Sequence, residues 1–180
     1  MCNSRTYFVS ATLILALVAA ANTSFAQGGL ALTSPAFAAS QRIPLRFTCS
    51  GEDKSPPLAW SGVPPAAKTL ALIVKDPDAP SGDFVHWVIF NLPASVNGLP
   101  EGIPATPQTA IGALQGQNGR GSAGYTGPCP PPGGDHHYHF RLYALDQSLA
   151  LPDDADAAQV ESAMRGHVVA QTEVVGIFSR

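Results

Sequence analysis

Polar side chains that could hold a small anion lie inside or beside three apolar stretches of the sequence. Asp76 ends the run TLALIVKD, His86 lies within FVHWVIF, and the pair His136 and Tyr138 belongs to HHYHFRLYAL. Imidazole N–H and phenol O–H groups donate hydrogen bonds to phosphate or carboxylate oxygens, and a carboxylate can orient a histidine and raise its cationic fraction. If the fold brings these four residues together, they form a site for a small anion.

Strand alternation decides which histidines of GPCPPPGGDHHYHF, residues 127–140, belong to that site. Successive residues of a strand point to opposite faces, so His136 shares a face with Tyr138, whereas His137 and His139 share the other face. His136 and His137 therefore do not suit one zinc ion, and His137 and His139 lack an obvious third ligand nearby. We expect no metal site in this segment.

Structural roles compete with the binding roles at two of these positions. Asp76 precedes Pro77-Asp78-Ala79-Pro80, a composition typical of a turn, and an isolated histidine such as His86 in an apolar strand is more often a hydrogen-bonded core residue. Asp76 is nevertheless in step with Leu70 and Val74, so its carboxylate points to their side and needs donors or a cation there. The pattern alone leaves turn and site equally supported at Asp76.

Nucleophilic catalysis has weaker support in the sequence. There is no G-x-S-x-G motif, and neither Cys49 nor Cys129 adjoins a histidine in the chain. Ser81-Gly82-Asp83 is better interpreted as a turn. A hydrolase or protease mechanism therefore lacks a marked nucleophile.

The elements that must position these residues are mainly strands. Glycine and proline each number 17 of 180 residues and only 13% are charged, which favours short segments joined by turns. The pattern predicts extended segments at Leu45–Thr48, Thr69–Lys75, Phe84–Leu92, His136–Leu145 and Gln171–Phe178. We therefore expect a mainly β fold, a sandwich with one late helix and a final strand.

The single predicted helix follows Pro152. Asp156 can cap it and form a capping box with Gln159, while Ala157, Val160 and Met164 form an apolar stripe. Gly166 either ends this helix or is tolerated inside it.

The segment 93–124 is rich in Gly, Ala, Gln and Asn and has no stable periodicity. A loop of this length inside a compact domain is usually functional or mobile. We do not interpret this segment as a linker between domains, so we predict a single domain over residues 27–180.

The N-terminal residues have the pattern of a signal peptide. Arg5 precedes the apolar run Phe8–Ala21, and Ser24-Phe25-Ala26 has the form of a cleavage site. We predict that residues 1–26 are removed and that the protein is periplasmic or secreted. The run is shorter than the roughly 20 apolar residues of a spanning helix, so no transmembrane segment is expected. The formal charge of −3, without clustered Lys and Arg, gives no indication of a nucleic-acid partner.

Two cysteines, Cys49 and Cys129, remain after the predicted cleavage. In an oxidising compartment they are most simply interpreted as one disulfide that closes a loop of about 80 residues. The alternative is two buried thiols. We favour the disulfide because export makes free thiols liable to oxidise.

Three ordered motifs resemble the phosphatidylethanolamine-binding protein family, most of all its bacterial Raf kinase inhibitor-like branch. They are DPDAP at Asp76–Pro80, HWVIFN at His86–Asn91, and GPCPP at Gly127–Pro131 followed by His136-His137-Tyr138. The resemblance extends from about Leu30 to the C-terminus.

The resemblance implies an antiparallel β-sandwich with peripheral helices and a small pocket for phosphate-like or other anionic head groups. The pocket positions fall on Asp76, His86, His136 and Tyr138, and the walls fall on Pro77, Pro80, Trp87, Gly127 and Pro128. It implies no cofactor and no established catalytic reaction. Some relatives inhibit kinases or proteases, and bacterial relatives often form homodimers.

Two segments depart from the family pattern. The family commonly has His-Arg-Tyr where this chain has His136-His137-Tyr138, so an imidazole replaces a permanent positive charge. Bacterial relatives also tend to carry an acidic-aromatic pair where this chain has Gly119 and Arg120. This second departure predicts a pocket mouth of different shape and selectivity.

The leading hypothesis is an exported, non-enzymatic protein that binds a small anionic ligand. One alternative is an inhibitor that blocks a protease or kinase through surface contact, and predicted export argues against a cytosolic kinase as its target. A second alternative is a hydrolase of small esters or phosphates that uses a pocket histidine as general base.

Overall fold

The computed structural model describes Met1 and residues 29–180. Apart from Met1, the predicted signal peptide lies outside the described residues, as do its cleavage site and Gln27. No helix in the described part of the chain is long and apolar enough to cross a membrane.

Residues 29–180 form nine strands, one α-helix and one short 3-10 turn. In chain order the strands are β1 (Ala31–Thr33), β2 (Gln41–Arg42), β3 (Leu58–Ser61), β4 (Thr69–Asp76), β5 (Phe84–Pro93), β6 (Gly98–Leu99), β7 (Leu114–Gln115), β8 (His136–Leu145) and β9 (Val168–Phe178). Helix α1 spans Ala157–Met164, between β8 and β9, and the 3-10 turn spans Leu45–Phe47.

The strands form two sheets, which confirms the predicted sandwich. The small sheet has the order β1-β3-β6, and the large sheet has the order β2-β9-β8-β4-β5-β7. All strand pairs are antiparallel except one short pairing, in which Gln41 and Arg42 of β2 run parallel to β9. The fold is therefore mainly β and almost wholly antiparallel.

Strands β4 and β5 are buried on both faces, which explains their nearly unbroken apolar sequences. On one face, Leu72 of β4 and Ile89 of β5 belong to the core between the sheets. On the other face, Ile73 and Val88 pack in a second core under α1. The two strands that carry Asp76 and His86 are thus fixed by apolar contacts on both sides.

Strand β8 shows the alternation expected from its sequence. His136, Tyr138 and Phe140 are buried, whereas His137 and Arg141 are exposed. The predicted assignment of His136 and Tyr138 to one face is confirmed.

The capping pattern of α1 is also confirmed. Asp156 Oδ1 accepts from the Gln159 backbone N–H at 2.8 Å, and the Asp156 N–H donates to Gln159 Oε1 at 2.9 Å. The helix ends at Met164, and Gly166 follows with a φ of 81°, so this glycine lies beyond the helix and not within it.

The prediction of extended structure at Leu45–Thr48 is wrong. The backbone N–H of Phe47 donates to the Pro44 carbonyl and that of Thr48 to the Leu45 carbonyl, both at 3.0 Å, and these bonds close a 3-10 turn. Phe47 alone of Leu45–Phe47 is buried. One buried side chain, that of Phe47, fits a turn as well as a strand, so the hydrophobic pattern could not distinguish the two conformations.

The segment 93–124 is more ordered than its composition indicates. It contains β6 and β7, and the buried side chain of Gln115 organises it. Gln115 Nε2 donates to the carbonyls of Pro104 and Thr106 at 2.7 Å, and its Oε1 accepts from Trp87 Nε1 at 2.8 Å. One buried amide therefore ties this segment to β5.

Candidate anion-binding site

Asp76 and His136 form a buried pair between neighbouring strands. Because β4 and β8 are antiparallel, the end of β4 lies beside the start of β8. Asp76 Oδ2 lies 2.7 Å from His136 Nδ1, and the two residues are 3% and 9% exposed. With Asp76 as acceptor, Nδ1 carries the proton and Nε2 is the ring nitrogen left for other partners.

Asp76 also begins a turn, which confirms the turn interpretation, while its binding role stays a prediction. Its second oxygen, Oδ1, accepts from the Asp78 backbone N–H at 2.9 Å. Such a contact over two residues is an Asx-type turn. One carboxylate thus shapes the DPDAP turn and orients His136.

A β-bulge places His86 on the same side of the sheet as Tyr138. Val74 pairs with Trp87 and Lys75 pairs with Val85, so His86 is an extra residue on β5. Val85 packs against the core under α1, whereas the His86 ring lies edge-on to Tyr138, with ring centroids 5.1 Å apart. Without the bulge, regular alternation would place His86 and Trp87 on opposite faces.

The tautomer of His86 is fixed by its backbone partner. His86 Nδ1 lies 2.7 Å from the Thr126 carbonyl oxygen, which can only accept, so Nδ1 carries a proton. Nε2 is therefore a bare acceptor when the ring is neutral and a donor only when it is protonated.

Burial holds the pKa of His86 below its ordinary value of 6.5. The Thr126 carbonyl and the Asp76 and Asp53 carboxylates act in the opposite direction, and the Arg120 charge adds to the lowering. His86 is therefore neutral at neutral pH, and charging it takes a more acidic solution or a nearby anion.

Tyr138 lies buried beside His86, at 1% exposure. Its hydroxyl lies close to the Asp76 carboxylate, although no acceptor among the described residues meets full hydrogen-bond geometry with it. Burial, followed by the nearby charges of Asp76 and Asp78, raises its pKa well above the ordinary value, so the hydroxyl remains protonated. The Tyr138 hydroxyl is a buried donor whose nearby acceptor, the Asp76 carboxylate, lies outside ideal hydrogen-bond geometry.

A cavity of about 270 Å³ joins several of the predicted site residues. Its lining consists of Asp76, Ala79, Pro80, Ser81, Phe84, His86, Arg120, Gly127, Cys129, Pro130, Pro131 and His136. Another cavity, of about 400 Å³, lies on the outer face of β8 and β9 around Arg141 and Glu173 and contains none of the predicted residues. The chemistry described above belongs to the first, which we call the Asp76 cavity.

Four of the predicted residues do not line the Asp76 cavity. Tyr138 lies behind His86, and Pro77 and Pro128 are outside the lining. Trp87 is completely buried in the core, with its ring against Tyr125 at a centroid distance of 5.6 Å. Ligand contact by these four residues stays a prediction.

The wall of the cavity from Gly127 to Pro131 is fastened to the segment around Cys49. The disulfide between Cys49 and Cys129 is present, with Cα atoms 5.4 Å apart, which confirms the predicted pairing. The Gly127 N–H donates to Asp53 Oδ1 at 2.6 Å. A Cβ atom at Gly127 would lie 2.7 Å from the Phe47 carbonyl oxygen, so only glycine allows this close approach.

His137 and His139 contact two different carboxylates on the opposite face. His137 Nδ1 lies 2.7 Å from Asp78 Oδ2, and His139 Nδ1 lies 3.2 Å from Glu173 Oε2. Hydrogen bonds from His137 hold the pKa of Asp78 below its ordinary value. The imidazole that stands where the family has arginine is thus engaged in a contact with a carboxylate.

Arg120 lines the Asp76 cavity, although the sequence motifs did not indicate it as a site residue. A sequence signal for it exists, because Arg120 is the only Lys or Arg in the segment 93–124. Arg120 is far in sequence from Asp76, His86 and His136, so its position in the same cavity could not be predicted. It reaches the cavity because the loop that carries it lies against β5.

Comparisons with known proteins agree with the fold. The family model described as phosphatidylethanolamine-binding protein matches residues 33–179. A UPF0098 protein of Methanothermobacter thermautotrophicus is 50% identical over 149 residues, which cover 83% of this chain and 98% of that protein.

Two crystal structures are also similar. One is of a putative phosphatidylethanolamine-binding protein homolog from Chlamydia trachomatis, with a TM-score of 0.78 and 40% identity over 84% of this chain and 98% of that one. The other is of E. coli YbcL, described as a new member of the mammalian PEBP family, with a TM-score of 0.78 and 31% identity over 85% of this chain and 99% of that one.

Proposed function

Because the chain belongs to the phosphatidylethanolamine-binding protein family, we propose that it is a non-enzymatic protein that binds a small anionic group in the Asp76 cavity. The ligand is a phosphate-type or other anionic head group. The observation that carries the proposal is the convergence on one cavity of two oriented imidazoles and a guanidinium, from His86, His136 and Arg120.

The orientation of the two imidazoles supports binding through Nε2. In both rings Nδ1 is held by an acceptor, the Thr126 carbonyl for His86 and the Asp76 carboxylate for His136. Each ring therefore has only its second nitrogen for a ligand. A protonated imidazole donates from that nitrogen with charge assistance, which gives a shorter and stronger hydrogen bond to an anion.

The lowered pKa of His86 gives this binding a pH dependence. An anion beside the ring favours the charged form, so binding raises the pKa and takes up a proton. Affinity then increases as the pH falls through the range between the free and the bound pKa. The free pKa lies below 6.5, and the charges that face His86 are those of Asp76, Arg120 and Asp53.

We expect sulfate to bind more tightly at about pH 5 than at about pH 8, by roughly three- to tenfold, which corresponds to partial uptake of one proton. Sulfate is the probe because its own charge does not change in this range. Isothermal titration calorimetry of His86→Asn should show a shallower pH dependence. The asparagine amide can still donate to the Thr126 carbonyl, but it has no group that titrates.

The matched control is His167→Asn, which removes a histidine that contacts Asp146 and does not line the Asp76 cavity. Its pH profile should equal that of the wild type. Equal slopes for wild type and His86→Asn, or sulfate binding at neither pH, would contradict the proposal. Turnover of p-nitrophenyl phosphate that His86→Asn abolishes would instead support the hydrolase alternative.

We also propose export to the periplasm or the medium. The support is the signal-peptide pattern of residues 1–26, together with a disulfide of the kind that persists in oxidising compartments. Mass spectrometry of the protein from the extracytoplasmic fraction should find Gln27 at the N-terminus. A cytoplasmic chain that keeps the first 26 residues would rule out this part of the proposal.

A further inference from the structure

Arg120 brings a permanent positive charge to the mouth of the Asp76 cavity. Its side chain lines this cavity, and the residue is exposed to solvent. No carboxylate of residues 29–180 lies within ion-pairing distance of it. The guanidinium is therefore free to meet a ligand.

The formal charges of the cavity lining explain why Arg120 matters for the binding of an anion. Apart from the two histidines, the ionisable side chains in the lining are the carboxylate of Asp76 and the guanidinium of Arg120. With both imidazoles neutral, these two charges cancel. If Arg120 were absent, the remaining carboxylate would repel an anion at the short distances of a small cavity.

The loop that carries Arg120 is held by backbone and side-chain hydrogen bonds. The Arg120 N–H donates to Asn118 Oδ1 at 2.9 Å, and Asn118 Nδ2 donates to the Gly124 carbonyl at 2.9 Å. Asn118 is buried, at 6% exposure. The backbone of Arg120 is thus fixed, although its side chain reaches solvent.

Gly119 fastens the same loop to β5. Its N–H donates to the Val85 carbonyl at 2.7 Å. A Cβ atom at this position would lie 2.7 Å from the Phe84 ring, which itself lines the cavity. The glycine lets the loop lie flat on Phe84 and brings Arg120 to the opening.

We propose that Arg120 is a specificity-determining residue, which makes the Asp76 cavity prefer a phosphomonoester dianion to a monoanionic phosphodiester. The inference rests on the proposed function, since it takes the cavity to be an anion site. A guanidinium offers a planar pair of N–H donors that matches two oxygens of one phosphate group. A monoester has one more unsubstituted oxygen and one more negative charge than a diester, so it gains more from this contact.

The test compares methyl phosphate with dimethyl phosphate at about pH 8, where His86 is neutral and methyl phosphate is a dianion. By calorimetric titration, we expect the wild type to bind methyl phosphate about tenfold more tightly than dimethyl phosphate, as one charge-assisted contact allows. Arg120→Gln should lose most of this ratio, mainly through weaker binding of methyl phosphate. Arg120→Lys should keep most of the ratio, because the difference between the two esters is mainly one of charge, and should bind both esters more weakly because it lacks the fork.

Arg165→Gln is the matched control, because it also removes one positive charge. Arg165 is exposed and follows α1, which packs on the core under the other face of the large sheet. It should keep the wild-type ratio. If Arg120→Gln also keeps the wild-type ratio, or if Arg120→Gln and Arg165→Gln lose it equally, the role of Arg120 is overturned.

Failure of this inference can be separated from failure of the proposed function. Sulfate at about pH 5, where a bound anion favours the charged form of His86, should still bind to Arg120→Gln with reduced affinity. Loss of the monoester preference together with retained sulfate binding supports Arg120 as the selective residue. A wild type that binds none of the three anions overturns both.

Discussion

Replacement of Cys49 and Cys129 together by serine is expected to lower the free energy of unfolding by roughly 2–5 kcal/mol. The disulfide closes a loop with a sequence separation of 80 residues, so its loss returns considerable conformational freedom to the unfolded chain. Urea denaturation of the wild type and the double variant measures the difference.

The double variant should still fold, because other contacts join the same two segments. The Cys49 N–H donates to the Pro128 carbonyl at 3.1 Å, and the Tyr125 hydroxyl donates to the Phe47 carbonyl at 2.8 Å. Wild-type protein in a reductant is the control, because it breaks the bridge without changing a side chain. Equal unfolding midpoints and slopes for oxidised wild type and double variant would show that the bridge contributes nothing.

His136→Ala is expected to lower the free energy of unfolding by roughly 2–4 kcal/mol. The substitution leaves Asp76 Oδ2 buried without its imidazole partner, and the remaining contact of the carboxylate is the Asp78 N–H on Oδ1. Much of the cost is therefore the penalty of an unpaired carboxylate, and not the loss of the imidazole itself.

A double-mutant cycle with Asp76→Asn tests that explanation. The neutral amide can still accept from the Asp78 N–H, so Asp76→Asn combined with His136→Ala should be more stable than the sum of the single effects predicts. Urea denaturation of the four proteins gives the coupling. Strictly additive losses would mean that the two side chains do not depend on each other.

The neighbouring pair His137 and Asp78 provides a matched comparison. It has the same 2.7 Å distance, but its side chains are 47% and 42% exposed, in contrast to 11% and 4% for His136 and Asp76. Exposed ion pairs contribute below about 1 kcal/mol, so His137→Ala should have a small effect. Burial, and not distance, thus accounts for the expected difference.

The features that could be predicted from sequence are those set by local periodicity. Alternation along β8 placed His136 with Tyr138, and the capping box at Asp156 placed the start of α1. Both depend on residues that are neighbours in the chain. For that reason they need no knowledge of which strands pair.

The features that escaped prediction depend on register between distant segments. The bulge at His86 exists because β4 and β5 pair with one residue left over, and no periodicity within β5 indicates which residue that is. The approach of Arg120 to the cavity likewise depends on a hydrogen bond from Gly119 to Val85, more than thirty residues away.

The buried hydroxyl of Tyr138 shows that this part of the interior is not built for packing alone. A phenylalanine would fill the same volume without placing a polar atom in the core, so packing does not require the oxygen. What the hydroxyl adds is a polar atom close to the Asp76 carboxylate and beside the His86 ring, and both of these residues line the cavity.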